Sequence, residues 1–326
     1  MHGKIGLEET FAIEQTTDIT NRPTYYDPER WHIVRQRLLE IQKTRLDEMD
    51  KYGMEMMILS LNSPAIQAIP DKKKAAECAK IANEFLANEI TKNPKRFSGF
   101  AALPMQDPDM AAAELQKCVK EYGFKGCLVN GFTQVGNRES CVYYDLPQYL
   151  SFWSEVEKLD VPFYLHPRKP HDSQQKIYEG HEWLLAAAWG FSVETATHAL
   201  RLMGSGLFDK YPNLSIILGH LGEMLPSNIW RTTNRLALEH KDPVYKQPFS
   251  YYLAKNFYVT TSGNFRLAPL LASIIEMGSD RILFATDWPY DDIRQAATWF
   301  DNVEISETER QKIGRLNAIK LLRLDL

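Results

Sequence analysis

The sequence predicts a (β/α)₈ barrel, an α/β fold in which eight parallel strands alternate with helices. Eight short apolar runs recur along the 326 residues, and each is followed by a stretch with the apolar spacing of an amphipathic helix. Several runs, such as MMILSL and RILFATD, are almost continuously apolar, as expected for parallel strands buried on both faces. A doubly wound open sheet is the alternative, but no G-x-G-x-x-G motif follows the first run.

The predicted elements alternate in chain order. The runs predicted as strands are Lys4–Leu7, Glu55–Leu61, Ser98–Leu103, Gly126–Asn130, Pro162–His166, Leu214–His220, Phe257–Ser262 and Arg281–Asp287. The stretches predicted as helices are Pro28–Lys51, Asp71–Asn93, Asp107–Tyr122, Leu146–Leu159, Ser192–Phe208, Gly222–Leu238, Ala268–Met277, Asp291–Phe300 and Ser306–Leu322. Ser306 and Glu309 have the spacing of a capping box, which predicts the start of the last helix.

The chain is longer than a minimal barrel of about 250 residues. The excess lies in two polar excursions, Ile13–Trp31 and Arg168–Glu194, and each of them follows a predicted strand. We therefore expect both insertions on the C-terminal face of the barrel. No internal repeat or low-complexity linker divides the sequence, so residues 1–326 are predicted to form one domain.

Composition excludes several classes of protein. Hydrophobic residues make up 44% and charged residues 25%, as in ordinary globular proteins, and the net charge of −4 argues against nucleic-acid binding. The four cysteines have no zinc-site or C-x-x-C spacing, and they are expected to be reduced thiols of a cytoplasmic protein. No run of about 18 apolar residues and no signal-peptide pattern is present, so no membrane association is expected.

Ionisable and amide side chains end several predicted strands. The candidates are Glu8, Asn130, His166, His220 and Asp287. Taken singly, Asp287 could cap a loop, and a lone histidine is more often a hydrogen-bonded core residue. Because these side chains share one end of the barrel and are costly to bury unpaired, together they predict a metal or catalytic site.

The other histidines lie in polar or helical contexts. Surface positions are predicted for His2, His32, His171, His181 and His240. His198, in ETATHALRL, is predicted to pack its helix against the core.

Eight segments carry a family resemblance. They are GKIGLEETFA, SLNSPAIQ, GFAALPMQDP, GFKGCLVNG, LDVPFYLHPR, FDKYPNLSIILGHLGE, TTSGNF and DRILFATDWP. In this order they resemble the metal-dependent, non-oxidative aromatic acid decarboxylases of the amidohydrolase superfamily, and most of all the γ-resorcylate (2,6-dihydroxybenzoate) decarboxylases. The resemblance covers the whole chain. It implies a barrel fold and a homotetramer.

The resemblance also implies a ligand set for one divalent metal ion, Zn²⁺ or Mn²⁺. The family's ligands correspond to Glu8, His166 and Asp287. Thr10 stands where many of these decarboxylases have a further histidine, so three protein ligands are expected. Asn130 stands where binuclear hydrolases of the superfamily carry a lysine, and a mononuclear site is therefore implied.

The implied reaction is the reversible decarboxylation of an ortho-hydroxybenzoate, foremost 2,6-dihydroxybenzoate to resorcinol and CO₂, without an organic cofactor. Asp287 is the implied proton donor, and His220, held by Glu223, would hydrogen-bond the substrate carboxylate. Asn130 and Arg231 are further candidates for binding the aromatic acid. The alternatives are 2,3-dihydroxybenzoate or salicylate as substrate, a metal-dependent hydrolase of a lactone or C–C bond, and a non-catalytic binding barrel.

Overall fold

The computed structural model describes residues 1–17 and 27–326, so residues 18–26 of the predicted excursion Ile13–Trp31 lie outside the described residues. Eight strands follow in the predicted order. They are β1 (Lys4–Phe11), β2 (Met54–Leu61), β3 (Phe97–Gly99), β4 (Cys127–Asn130), β5 (Phe163–His166), β6 (Ile216–Leu218), β7 (Phe257–Thr260) and β8 (Ile282–Leu283). Every predicted apolar run therefore overlaps a strand, although the bounds differ, most of all at β1 and β3.

The strands form two parallel sheets, β1-β2-β3 and β4-β5-β6-β7-β8. Backbone hydrogen bonds connect the sheets on both sides. Ala101, just after β3, pairs with Cys127 in a parallel bridge. On the other side, Leu7 N donates to Phe284 O at 3.2 Å, beside β8. The predicted α/β barrel class is confirmed.

Helices separate the strands along the chain. They are α1 (Glu14–Thr17), α2 (Pro28–Leu39), α3 (Thr44–Lys51), α4 (Lys72–Lys92), α5 (Pro108–Glu121), α6 (Leu150–Leu159), α7 (Gly190–Gly204), α8 (Leu207–Lys210), α9 (His220–Glu223), α10 (Leu225–Glu239), α11 (Phe249–Asn256), α12 (Leu267–Met277), α13 (Ile293–Asn302), α14 (Glu307–Gln311) and α15 (Asn317–Leu322). Short 3₁₀ helices cover Ala65–Ala68, Pro147–Tyr149, Asp172–Tyr178, Glu182–Leu184 and Ser279–Arg281, and a π-helical segment, Lys312–Leu316, joins α14 to α15. The capping box of Ser306 and Glu309 is confirmed at α14.

The single long helix predicted over Pro28–Lys51 is wrong. The chain leaves the helical conformation at Glu40, and its carboxylate accepts hydrogen bonds from Lys43 N and from Thr44 N at 2.9 Å. A side-chain acceptor thus caps the start of α3 and makes a second helix possible in the middle of one apolar pattern.

Two other helix predictions need correction. The helix predicted over Ser192–Phe208 ends at Gly204, and Gly206, with φ +76°, starts the separate turn α8. Helix α11 was not predicted, because its sequence FSYYLAKN is short and rich in aromatic residues that suit a strand equally well.

Strand β1 contains an irregularity that decides which side chains enter the barrel. Gly6 pairs with Met57 and Glu9 with Leu59, so β1 has one residue more than β2 across the same interval. Such a bulge reverses the alternation of the two faces. β1 continues to Phe11, so Glu8 lies within the strand. The prediction that Glu8 ends the first strand is wrong.

The lower interior of the barrel is an apolar plug. Its buried members are Ile5, Leu7, Met56, Ile58, Phe100, Leu128, Tyr164, Ile217 and Leu283, closed below by Ala318, Leu322 and Leu324. A larger cluster packs the outer strand faces against the helices. Within the described part of the chain, no helix combines the length and the apolarity that crossing a membrane requires.

Candidate active site

Above the apolar plug, the carboxylate of Glu8 forms the centre of a polar site. Its Oε2 accepts hydrogen bonds from Tyr164 Oη at 2.5 Å, from Thr260 Oγ1 at 3.0 Å and from Ser262 Oγ. Its Oε1 is buried and has no hydrogen-bond partner among the described residues. Gly219 leaves the space that the carboxylate needs, since a Cβ there would lie 2.8 Å from Oε2. One carboxylate oxygen is thus fixed by the protein, and the other is available to a ligand.

Two histidines face the available oxygen of Glu8. His166 Nε2 lies 3.3 Å and His220 Nε2 lies 3.8 Å from Glu8 Oε1. His166 Nδ1 lies 2.9 Å from the Pro167 carbonyl oxygen, which can only accept, so Nδ1 carries the proton and donates. The lone pair of His166 Nε2 therefore points toward Glu8, as a metal ligand requires.

Asp287 completes this group from the chain that follows β8, which ends at Leu283 and not at Asp287 as predicted. One ligand atom each from Glu8, His166 and Asp287 lie within 4.8 Å of one another. Asp287 Oδ2 is also 4.0 Å from His220 Nε2. The structure therefore brings together the three residues that the sequence predicts as metal ligands, and two carboxylates with one imidazole fit a divalent cation such as Zn²⁺ or Mn²⁺.

Opposing influences set the protonation of these groups. Burial favours the neutral form of Glu8, but the attraction of the His220 ring and the hydrogen bonds from Ser262 and Tyr164 outweigh it and lower its pKa. Burial raises the pKa of Asp287 to about 8, against the effect of His220. Burial also lowers the pKa of His166. The pKa of Glu8 therefore lies below its ordinary value and that of Asp287 above it.

His220 is held by an unusual backbone turn. Residues 220–224 all have positive φ, from +53° at His220 and Glu223 to +83° at Gly222. Each non-glycine residue in this left-handed conformation costs roughly 1–2 kcal/mol. The turn directs the Glu223 carboxylate to His220, whose Nδ1 lies 2.6 Å from Glu223 Oε1. The helix predicted from Gly222 consequently starts only at Leu225.

The His220–Glu223 pair favours an imidazolium. Burial opposes the charged form of His220, but Glu223 and Glu8 together raise its pKa well above the ordinary value. Glu223 itself is buried, 1% exposed, behind the ring. The arrangement provides a positively charged hydrogen-bond donor at the wall of the site.

A cavity of about 600 Å³ opens beside these residues. Its lining includes His220, Asp287, Asp291, Asn264, Phe191 and Ala187. Phe191 and Ala187 belong to the region of the predicted insertion Arg168–Glu194, which therefore reaches the C-terminal face as expected. The volume is ample for a single aromatic ring with its substituents.

Asn130 and Arg231, predicted as substrate-binding residues, are placed differently. Asn130 pairs in register with His166, its Nδ2 donates to Asn62 O at 3.2 Å, and its Oδ1 is buried without a partner among the described residues. Arg231 is exposed on α10 and is not among the described residues that line the cavity. Their binding roles stay predictions.

Sequence reasoning missed several residues of the site. Glu9 follows Glu8 in a pair of acids that no sequence pattern marks as buried, yet both side chains are 0% exposed. Tyr164 lies within an apolar run, and no pattern distinguishes its hydroxyl from an ordinary aromatic core residue. Asp291 lines the cavity, and the cluster of acids after Trp288-Pro289 was the signal for it. His171, predicted at the surface, is 9% exposed because its ring packs edge-on against Phe132.

Comparison with known proteins decides the family. The sequence model of the family described as "Amidohydrolase" matches residues 26–324. The chain belongs to the amidohydrolase family. This amidohydrolase is 55% identical to the γ-resorcylate decarboxylase of Rhizobium sp. (strain MTP-10005) over 100% of this chain and 99% of the relative. The resemblance inferred from the eight segments is confirmed.

Solved structures agree with this family assignment. A 2,6-dihydroxybenzoate decarboxylase in complex with 2,6-dihydroxybenzoate shares 54% identity with the amidohydrolase at a TM-score of 0.96, with 100% of both chains covered. A dihydroxybenzoic acid decarboxylase from Polaromonas sp. JS666, with bound manganese and the inhibitor 2-nitroresorcinol, also shares 54% identity at a TM-score of 0.96, covering 100% of this chain and 98% of that one.

Proposed function

We propose that this amidohydrolase is a metal-dependent, non-oxidative carboxy-lyase that reversibly converts 2,6-dihydroxybenzoate to resorcinol and CO₂. The observation that carries the proposal is the convergence of Glu8, His166 and Asp287 within 4.8 Å, with the His220–Glu223 pair beside them at the wall of a ring-sized cavity. The full-length similarity to γ-resorcylate decarboxylases supports the reaction and the substrate.

Glu8, His166 and Asp287 would hold one divalent ion. The unpartnered Oε1 of Glu8 and the free lone pair of His166 Nε2 support this assignment. When bound, Mn²⁺ or Zn²⁺ would orient the carboxylate and phenolic oxygens of the substrate and stabilise their negative charge. Manganese is favoured because it is present in the Polaromonas relative, and no organic cofactor enters the proposal.

Asp287 supplies the proton. It takes a proton from an ortho-hydroxyl of the substrate as the acid binds and delivers it to the ring carbon that carries the carboxylate. That carbon becomes tetrahedral, the bond to the carboxylate breaks, the electron pair restores the aromatic ring, and CO₂ leaves. A divalent ion beside Asp287 would stabilise its ionised carboxylate, which could then accept the phenolic proton and pass it to the ring.

His220 holds the carboxylate in place. Its Nε2 faces Glu8 and Asp287, and Glu223 fixes the opposite ring nitrogen at 2.6 Å. A charged imidazole oriented in this way donates a hydrogen bond to the carboxylate of the acid and guides the departing CO₂. Asn130, through its unpartnered buried Oδ1, and Arg231, on the helix whose first turn lines the cavity, complete the proposed binding residues.

The proposal extends to assembly and location. We propose that residues 1–326 act as one domain and that four copies form a homotetramer in the cytoplasm. Exposed apolar side chains support the assembly, with Trp230 at 71% and Leu238 at 69% on α10. The four free thiols support a reducing compartment. Sedimentation at four times 37.6 kDa and recovery of the enzyme in the cytosolic fraction would test these two points.

A substrate panel tests the reaction. The metal-depleted protein is reloaded with Mn²⁺ or Zn²⁺ and assayed for CO₂ release from 2,6-dihydroxybenzoate, 2,3-dihydroxybenzoate and salicylate. We expect 2,6-dihydroxybenzoate to react fastest, with resorcinol as product and no reaction without metal. Faster turnover of another acid would correct the substrate alone. The absence of CO₂ from all three acids with metal supplied would overturn the proposed reaction.

A further inference from the structure

The carboxylate of Glu9 is buried on the outer face of β1, away from the cavity. Three donors from one short segment surround it. Thr286 N donates to Oε1 at 2.8 Å, Thr286 Oγ1 donates to Oε2 at 2.5 Å, and Trp288 N donates to Oε2 at 3.3 Å. A carboxylate with this many contacts to one segment of backbone is a tether for that segment.

The tethered segment is the one that carries Asp287. The two backbone donors belong to Thr286 and Trp288, the residues immediately before and after Asp287. Glu9 therefore binds the chain on both sides of the proposed acid. Asp287 itself has φ +62°, a left-handed conformation that is uncommon outside glycine, although aspartate tolerates it better than most residues. The conformation aims the Asp287 side chain toward Glu8 and His166, within the 4.8 Å group.

Other residues hold Glu9 in this place. Gly6 lies on the same outer face, and a Cβ there would be 2.3 Å from Glu9 Oε1, so only glycine leaves room for the carboxylate. Arg45 on α3 is fully buried nearby, attracts Glu9, and donates from Nη2 to Thr10 O at 2.7 Å. The carboxylate is therefore built into the packing between β1, β8 and α3.

We propose that Glu9 is a positioning residue for Asp287: by binding the backbone on both sides, it imposes the left-handed conformation that directs the Asp287 carboxylate into the metal and proton-transfer site. This inference rests on the proposed function. Glu9 is not among the described residues that line the cavity or form the proposed ligand group, so its effect passes through residues 286–288.

The test compares two variants, each of which removes a buried side-chain group that hydrogen-bonds to the chain just after β8. Glu9→Gln keeps the shape of the side chain but replaces one accepting oxygen with a donor. Thr261→Val is the matched control, because Thr261 Oγ1 accepts from Ala285 N and donates to Ala285 O, outside the segment 286–288. Manganese affinity is measured by equilibrium dialysis of the metal-depleted proteins, together with kcat, KM and thermal unfolding.

For Glu9→Gln we expect a 10- to 100-fold weaker affinity for Mn²⁺ and a comparable loss in kcat, with KM changed less than about threefold. Thr261→Val should change all three quantities less than about threefold, even if both variants unfold at a similarly lowered temperature. An equal change in manganese affinity in the two variants, or an affinity of Glu9→Gln within threefold of wild type, would overturn the inference.

A second pair keeps the inference testable if Glu9→Gln does not fold. Thr286→Val removes the side-chain donor to Glu9, and Thr286→Ser restores it. We expect manganese affinity to fall three- to tenfold in the first and to recover in the second, and equal affinities would contradict the positioning role. If wild type releases no CO₂ from any hydroxybenzoate, the proposed function fails, while the comparison of manganese affinities still decides the role of Glu9.

Discussion

The surroundings of Glu8 and Glu9 differ as much as two buried sites can, although the residues are neighbours in one strand. Glu8 faces the interior, where side-chain hydroxyls and two imidazoles meet it and one oxygen stays available to a ligand. Glu9 faces the helices, where backbone donors occupy both oxygens. The difference teaches that burial alone does not reveal the role of an acid. Its hydrogen-bond partners determine whether the carboxylate can bind a ligand or only holds the backbone in place.

The bulge in β1 produces this division. Leu7 belongs to the apolar plug and Glu8 contacts Tyr164 of the same plug, so two consecutive side chains point inward. Gly6 and Glu9 point outward, as the close approach between them shows. Without the extra residue, Glu8 would share the outer face with Gly6.

The largest effect is expected where the inner site performs chemistry. Asp287→Asn removes the acid and keeps the approximate shape, so kcat for 2,6-dihydroxybenzoate should fall by about 10²–10⁴-fold, the usual contribution of general acid catalysis. In deuterated water, wild type should place one deuterium on the resorcinol ring. Thermal unfolding should change little. Activity of the variant within about tenfold of wild type, equivalent to ~1.4 kcal/mol of barrier, would contradict the role of Asp287.

His166→Ala tests the metal on the same inner face. It removes the nitrogen that faces Glu8, so the purified variant should retain only a small fraction of the metal bound by wild type. His198→Gln is the matched control, since His198 is a buried imidazole outside the site, and it should keep the full metal content. Stoichiometric metal in His166→Ala would exclude this residue as a ligand.

Gly6→Ala tests the outer face. The added methyl would lie 2.3 Å from Glu9 Oε1, so overpacking should lower the free energy of unfolding by about 1–3 kcal/mol. In Gly204→Ala the nearest atom is a flexible ring carbon of Phe249 at 3.4 Å, and stability should stay within about 1 kcal/mol. Chemical denaturation of both variants provides the measurement. Equal stabilities would mean that the outer face tolerates displacement of Glu9.

The pH dependence of stability distinguishes a buried histidine that is paired with a carboxylate, as His220 is, from one that is not, as in the case of His198. Burial lowers the pKa of His198 from 6.5 to about 3, and its Nε2 accepts a hydrogen bond from Tyr144 N at 3.2 Å. Below pH 6.5 His198 therefore binds a proton in the unfolded chain but not in the folded protein. The contribution of His198 to stability falls as the pH drops toward 3.

In His198→Gln the acid-side slope of unfolding free energy against pH should decrease by up to ~1.4 kcal/mol per pH unit. Denaturant titrations between pH 6.5 and 5 make the comparison. An unchanged slope in His198→Gln would show that the ring is charged in the folded protein.

Thr10→Ala is expected to have the smallest effect. Thr10 is buried, 3% exposed, two residues from Glu8, and a neutral hydroxyl is a weak ligand beside carboxylate and imidazole. The variant should retain its metal and activity within about threefold. Metal analysis and steady-state kinetics measure this, and loss of the metal would place the Thr10 oxygen among the ligands.

Much of the fold followed from local pattern. Continuous apolar runs identified the eight strands, because parallel strands are buried on both faces, and the polar residues at their ends indicated the site. The interruptions within helices and strands were harder to predict. A side-chain cap at Glu40 divides an otherwise continuous helical pattern, and the bulge in β1 shifts the period of two on which face assignments depend.

The left-handed turn at residues 220–224 could not be predicted either. Only Gly222 in HLGEM prefers positive φ, so the conformation of the other four residues is imposed by tertiary contacts. The same holds for Asp287. Such positions, where local preference is overruled, coincide here with the proposed chemistry.

The bulge has a consequence for the engineering and the divergence of this barrel. Because β1 has one residue more than β2 between Gly6 and Glu9, a deletion there would remove the bulge and leave one inward-facing residue in place of Leu7 and Glu8. A point-mutation library leaves the number of inward-facing positions unchanged, whereas a library with insertions or deletions between Gly6 and Glu9 alters it in one step. Length variation in β1 therefore reaches arrangements of the interior that substitutions in the same strand do not.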